Sequence, residues 1–156
     1  MIYIFLDVDG VLNCDTTTEC CDGWLGVEAS KIKILKYIVD MTGAEIILTS
    51  TWKDGWHHRS KHLNDALANH LDAAMATEGL TITNKTDDQW FNRGEGIQDW
   101  LREHPAEAWV VLDDIYFNDF GSEGIEPHLI LTDGVYGLTQ ELAEQAVNMI
   151  KEQLHE

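Results

Sequence analysis

The sequence predicts one doubly wound α/β domain spanning residues 1–156, with a parallel sheet of about five strands and helices on both faces. Three observations predict it. Short apolar runs alternate with longer stretches of helical periodicity along the whole chain, the pattern of parallel strands joined by helical crossovers. The run Trp109-Val110-Val111-Leu112 lacks polar alternation, as expected of a strand covered on both faces. Acidic and hydroxyl residues follow the apolar runs directly, at the strand ends where such sheets bind ligands.

Ile2–Leu6 is a β-branched and aromatic run bounded by Asp and Gly, hence a strand that stops abruptly. From Ala29 to Met41 the residues Ile34, Leu35, Ile38 and Met41 share one helical face, and Gly43 closes the helix. Ile46-Ile47-Leu48 is the second strand. Leu63, Leu67 and Leu71 recur at helical spacing between Arg59 and Ala74, and a short strand is expected over Leu80–Thr83. A helix carrying Ile97, Trp100 and Leu101 ends at His104-Pro105, before the strand Trp109–Leu112. His128–Leu131 is the fifth strand. The last helix begins at Thr139 as N-cap and turns Leu142, Ala146, Met149 and Ile150 inward. No repeat, linker or low-complexity tract interrupts this order.

Composition narrows the function. With 44% apolar residues and two prolines the chain is globular, and its formal charge of −18 repels polyanions, so extended nucleic-acid binding and anionic membranes are not expected. The three cysteines, Cys14, Cys20 and Cys21, lack zinc-like spacing and read as free thiols in a reducing compartment. The N-terminal apolar run is too short for a signal peptide, and no stretch approaches the roughly 18–20 apolar residues of a membrane helix. A cytoplasmic protein is expected.

Asp7 and Asp9 follow the first strand, Thr49, Ser50 and Thr51 the second, Asp113 and Asp114 the fourth. In one crevice these carboxylates repel one another unless a hard cation neutralises them, and oxygen-only ligands select Mg²⁺. Arg93, at the start of the helix before the fourth strand, could hold an anion there, which outlines a phosphoryl-transfer site. Taken alone, Asp9-Gly10 also reads as a hairpin turn.

The set resembles the haloacid dehalogenase-like (HAD) hydrolases, which share a Rossmann-like core. Phe5-Leu6-Asp7-Val8-Asp9-Gly10-Val11-Leu12-Asn13 matches their first motif, Ile46-Ile47-Leu48-Thr49-Ser50 the second, Arg93 (with Lys85 as weaker candidate) the third, and Val110-Val111-Leu112-Asp113-Asp114 the fourth. Leu48-Thr49-Ser50-Thr51-Trp52, Arg93-Gly94-Glu95 and Gly137-Leu138-Thr139 are similar to a small branch associated with RNA-repair proteins. The resemblance implies a phosphomonoester hydrolase. Asp7 would attack phosphorus to give an aspartyl-phosphate, and Asp9 would protonate the leaving oxygen and then take a proton from water. Mg²⁺ would be held by the Asp7 carboxylate, the Asp9 backbone carbonyl and Asp114, with Asp113 behind them supporting a metal-bound water. Ser50 and Arg93 would grip the phosphoryl oxygens. Counting from Gly43 favours Ser50 over Thr49.

Neither Asn13 to Ile46 nor Ser50 to Arg93 has room for the cap domain many such hydrolases insert, so the site is expected to be open. An open site suits a phosphorylated macromolecule or nucleic-acid end. The charge suits few contacts, as with a terminal phosphate or a small phosphometabolite approached by a flap at Asp15–Gly26. A catalytically silent metal-binding module and a phosphotransferase are the other readings. A dehalogenase is disfavoured by Asp9, which a halide leaving group does not need. Of the six tryptophans, Trp100 and Trp109 are expected in the core, while Trp24, Trp52, Trp56 and Trp90 fall in loops, where shielding the crevice is favoured over stacking a base and Trp52 is the best stacking candidate. His57, His58 and His62 are expected exposed on a helix, and Cys14 as a buried thiol.

Overall fold

The computed structural model describes residues 1–88 and 91–155. In chain order its elements are β1 (Ile2–Leu6), a small hairpin of β2 (Cys20–Cys21) and β3 (Trp24–Leu25), α1 (Ala29–Thr42), β4 (Glu45–Leu48), α2 (Ala66–Thr77), β5 (Ile82–Lys85), α3 (Arg93–Glu103), β6 (Ala108–Asp113), β7 (Leu129–Leu131) and α4 (Gln140–Leu154), with short 3₁₀ turns between. The main sheet runs β5-β4-β1-β6-β7, every neighbouring pair parallel. The chain builds outward from β1 first on one side and then on the other, so the order reverses at β1. That reversal opens the crevice where such sheets bind ligands.

Alternation along the strands divides the core. Ile4 and Leu6 join Ile46, Leu48, Val110 and Leu112 beneath residues of α1, α2 and α4. Tyr3, Phe5, Ile47 and Val111 point the other way, against Ile97 and Trp100 of α3 and against Phe120 and Ile125. With both faces covered, the central strands read as unbroken apolar runs. The α/β, Rossmann-like fold expected from the sequence is present, and among the described residues no cap domain is inserted. Among the same residues no helix is long and apolar enough to cross a membrane.

Several local expectations change. The helix expected from Arg59 starts at Ala66, because Asp65 caps it: its side chain accepts from the Ala68 N–H at 2.8 Å. Leu63 therefore sits on a 3₁₀ turn and is 57% exposed. His58 and His62 are exposed as expected, but on a bend and a 3₁₀ turn rather than on one helix. The third strand in sequence, expected at Leu80–Thr83, is β5 at Ile82–Lys85. Gly79 takes φ +70 and the Leu80 N–H returns to the Met75 carbonyl, so Leu80 belongs to the helix-ending motif. Met41 leaves the inner face of α1 and is exposed. The caps at Gly43 and Thr139 are where the sequence puts them.

Candidate active site

Backbone hydrogen bonds extend the sheet one residue beyond its strands. Asp7 N–H donates to Leu112 O (3.0 Å), Thr49 N–H to Leu6 O (2.9 Å) and Thr132 N–H to Asp113 O (2.8 Å). Asp7, Thr49 and Asp113 thus leave the sheet side by side at its carboxyl end. After Asp7 the chain turns tightly, Val8 O accepting from Val11 N–H and Leu12 N–H. Gly10 lies at the centre of that turn with φ +79, and a Cβ there would collide with the Asp114 carboxylate. Both the left-handed backbone and the close approach require glycine. Asp9-Gly10 is therefore a loop packed on the fourth motif and not a hairpin turn. Asn13 fastens the loop: its Oδ1 accepts from Gly10 N–H (2.9 Å), and its Nδ2 donates to Asp9 Oδ1 and Gly26 O (3.0 Å each).

Asp7, Asp113 and Asp114 present carboxylate oxygens within 4.8 Å of one another, the first two buried. Arg93, the first residue of α3, sends Nη1 to Asp113 Oδ2 at 2.7 Å and to Asp7 Oδ1 at 3.3 Å, and its guanidinium lies 4.3 Å over the Phe117 ring. The helix start that carries Arg93 is capped from a distance. Gly94 N–H and Glu95 N–H donate to the two carboxylate oxygens of Asp119 (3.0 and 2.9 Å), and Gly94 has no Cβ to crowd them. Burial, and next the neighbouring Asp113, push the Asp7 carboxyl well above the ordinary carboxylate range although Arg93 draws it down. Burial also raises Asp113, with Arg93 opposing. Burial disfavours the Arg93 charge, but Asp7 and Asp113 outweigh it and keep the guanidinium above its usual value.

One guanidinium against three carboxylates leaves excess negative charge in a nearly dry place, a condition a divalent cation would relieve. The donor set is all oxygen, so it fits a hard cation. Asp113 has both oxygens committed, Oδ2 to Arg93 and Oδ1 to Ile115 N–H at 3.0 Å. Asp7 pairs with Arg93 through Oδ1 alone, so Asp7 and Asp114 are the carboxylates left to face an ion.

Asp9 is exposed and turned aside from the cluster. Its Oδ2 accepts from Trp52 Nε1 (3.1 Å) and its Oδ1 from Asn13. A cavity of about 230 Å³ lies between these groups, lined among the described residues by Asp7, Asp9, Thr51, Arg93, Asp114, Ile115 and Phe117. Ser50 and Thr49 are buried, directly preceding Thr51 of its lining in the chain. The Ser50 Oγ accepts from Trp52 N–H (3.2 Å), whereas Thr49 Oγ1 has no hydrogen-bond partner among the described residues. Lys85, the weaker candidate for the third motif, is occupied elsewhere, its amine donating to Lys53 O and Trp56 O.

A family model described as the HAD domain in Swiss Army Knife RNA repair proteins matches residues 3–143. The chain belongs to that family. No curated protein and no solved structure shows a match to it. The matched span runs from β1 into the first turn of α4 and contains every residue of the acidic cluster of this HAD domain.

The structure brings Asp7, Asp9, Asp113, Asp114 and Arg93 of the HAD domain together, with Ser50 adjoining. Thr51, placed by the sequence among the crevice hydroxyls, lines the cavity, whereas Asn13, Phe117 and Asp119 had no expected role. Asn13 stands inside the first motif, which was a usable signal; Phe117 and Asp119 act across long sequence separations that local patterns do not show. Among the tryptophans, Trp56 is fully buried and donates to Asp72, Trp52 anchors Asp9, and Trp24 is 67% exposed. Trp100 and Trp109 are only partly buried and stack on His104 and His128. Trp90 lies outside the described residues. Cys14 is buried, as expected.

Proposed function

We propose that this HAD domain is a Mg²⁺-dependent phosphomonoester hydrolase that works through an aspartyl-phosphate on Asp7. One observation carries the reading: a buried Asp7 carboxylate, 3.3 Å from Arg93 and beside Asp114, forms a wall of an open cavity whose rim holds Asp9. In the first step an Asp7 oxygen bonds to phosphorus while the bond from phosphorus to the ester oxygen breaks, and Asp9 gives that departing oxygen its proton. In the second, water attacks phosphorus and leaves a proton on Asp9. The bond to Asp7 breaks, freeing inorganic phosphate and restoring both residues. Bound at Asp7 and Asp114, Mg²⁺ would offset the charge of the phosphoryl group and of the carboxylates. Arg93, fixed by Asp113 and Phe117, supplies a positive charge aimed at the phosphoryl oxygens, and the Ser50 hydroxyl adjoins them. Asn13 and Trp52 keep the Asp9 carboxyl at the rim, where the leaving group departs.

The substrate is a phosphorylated small molecule or a nucleic-acid end. The family's association with RNA repair favours the end, and the charge of −18 favours contact with one terminal nucleotide over a long strand. Hydrolysis of an aryl phosphate is expected in Mg²⁺, with loss in chelator and in Asp7→Asn. Equal turnover under all three conditions would reject the mechanism. Asp9→Asn is expected to stall turnover with Mg²⁺ affinity retained, because its side chain is committed to Asn13 and Trp52 rather than to the acidic cluster. A large affinity loss would reject that role.

A further inference from the structure

Asp9 lines a second cavity as well. This one, of about 310 Å³, is walled by Asn13, Trp24, Leu25, Trp52 and Leu67, and it adjoins the phosphoryl cavity through Asp9. Its walls are mostly apolar, and two are indoles. Trp52 cannot swing freely, because its Nε1 is tied to Asp9. Trp24 stands on β3 just after the hairpin loop Asp22-Gly23, where both residues have positive φ (52° and 79°), the backbone of a tight two-residue hairpin turn. That turn, with Gly26 N–H bonded back to Glu19 O (2.8 Å), presents the Trp24 ring on a short ordered ribbon and leaves it 67% exposed. An indole and a leucine exposed together beside a reaction centre mark a recognition surface. No Lys or Arg lines this cavity among the described residues, so it is not built for a second phosphate.

The position of Asp9 on both cavities orders them. The ester oxygen is bonded to phosphorus on one side and to the leaving group on the other, so the residue that protonates it belongs at the seam. We infer that Trp24, Leu25, Trp52 and Leu67 form a leaving-group subsite that takes the nucleobase of a terminal nucleotide whose phosphate reacts at Asp7. Every base has an aromatic face, and stacking on indole is tolerant of which base it is. The inference rests on the phosphatase reading above and deepens it by assigning the residues that hold the base of the terminal nucleotide.

The test compares, with the full chain in Mg²⁺, adenosine 3′- and 5′-monophosphates with ribose 5-phosphate and glycerol phosphate, which carry no base. Oligonucleotides bearing the same ends distinguish a strand terminus from a free nucleotide. The expected result is a kcat/KM about 10-fold or more higher for the base-bearing esters, a size that stacking one base supplies. In Trp24→Ala that ratio should fall close to one, mainly through KM, and Trp24→Phe should restore most of it. Adenosine alone should quench tryptophan fluorescence saturably in the native chain. Base-bearing and base-free esters turned over alike, with Trp24→Ala changing neither, would overturn the subsite and leave the phosphatase reading standing. No turnover of any ester would defeat both.

Discussion

Removing the Arg93 charge probes the electrostatics of the crevice. The side chains of Arg93, Asp7 and Asp113 are 9%, 8% and 0% exposed, so this is a buried ion network and not a surface pair. Deleting one partner of such a network strands charge in a dry place, which costs about 3–5 kcal/mol. A solvent-exposed pair would cost about 1 kcal/mol or less. Arg93→Met keeps most of the length of the side chain, so the loss reports charge more than packing. In chelator at neutral pH its melting temperature is expected to fall by about 6–20 °C, taking about 2–4 °C per kcal/mol for a chain of this size. Urea denaturation of the native chain, Arg93→Met, Asp113→Asn and the double variant closes a cycle. The second substitution should recover part of the loss, because the stranded carboxylate is gone. Saturating Mg²⁺ should also recover part of it, since an ion bound only by the folded state stabilises it. A loss below about 1 kcal/mol, unchanged by Mg²⁺, would refute the claim that Arg93 balances these carboxylates.

Three further outcomes follow from the same geometry. Gly10→Ala places a Cβ in left-handed backbone, which costs about 1–2 kcal/mol, and drives it into Asp114; calorimetry should show weakened Mg²⁺ binding as well. Asp119→Ala removes the cap of α3, costing about 0.5–2 kcal/mol in urea, and lowers kcat/KM because Arg93 is the first residue of that helix. Trp56→Ala empties a fully buried site and leaves Asp72 without its indole partner, so about 3–5 kcal/mol of stability should be lost.

The central strands and acidic pairs were legible in the sequence because each is local. Trp109–Leu112 is apolar on both faces since both are covered, and Asp7, Asp9, Asp113 and Asp114 follow their strands immediately. What stayed hidden acts at a distance or in very short elements. Asp119 caps a helix 25 residues earlier, and Trp52 reaches an acid 43 residues away, so no window along the chain joins them. Strands of two residues, Cys20–Cys21 and Trp24–Leu25, are too short to display alternation. Their turn carried the usual Asp-Gly signal at Asp22-Gly23, while the same dipeptide at Asp9-Gly10 makes an active-site loop. Local chemistry permits both, and the packing of Asp114 against Gly10 decides. The misplaced start of α2 has a similar cause, since Leu63 fits the helical period but Asp65 supplies the cap.

The most direct measurement is a calorimetric Mg²⁺ titration of the native chain, Asp7→Asn and Asp114→Asn. One ion per chain is expected, with binding abolished or greatly weakened in both variants. Undiminished affinity in both would contradict a magnesium centre built from these two side chains.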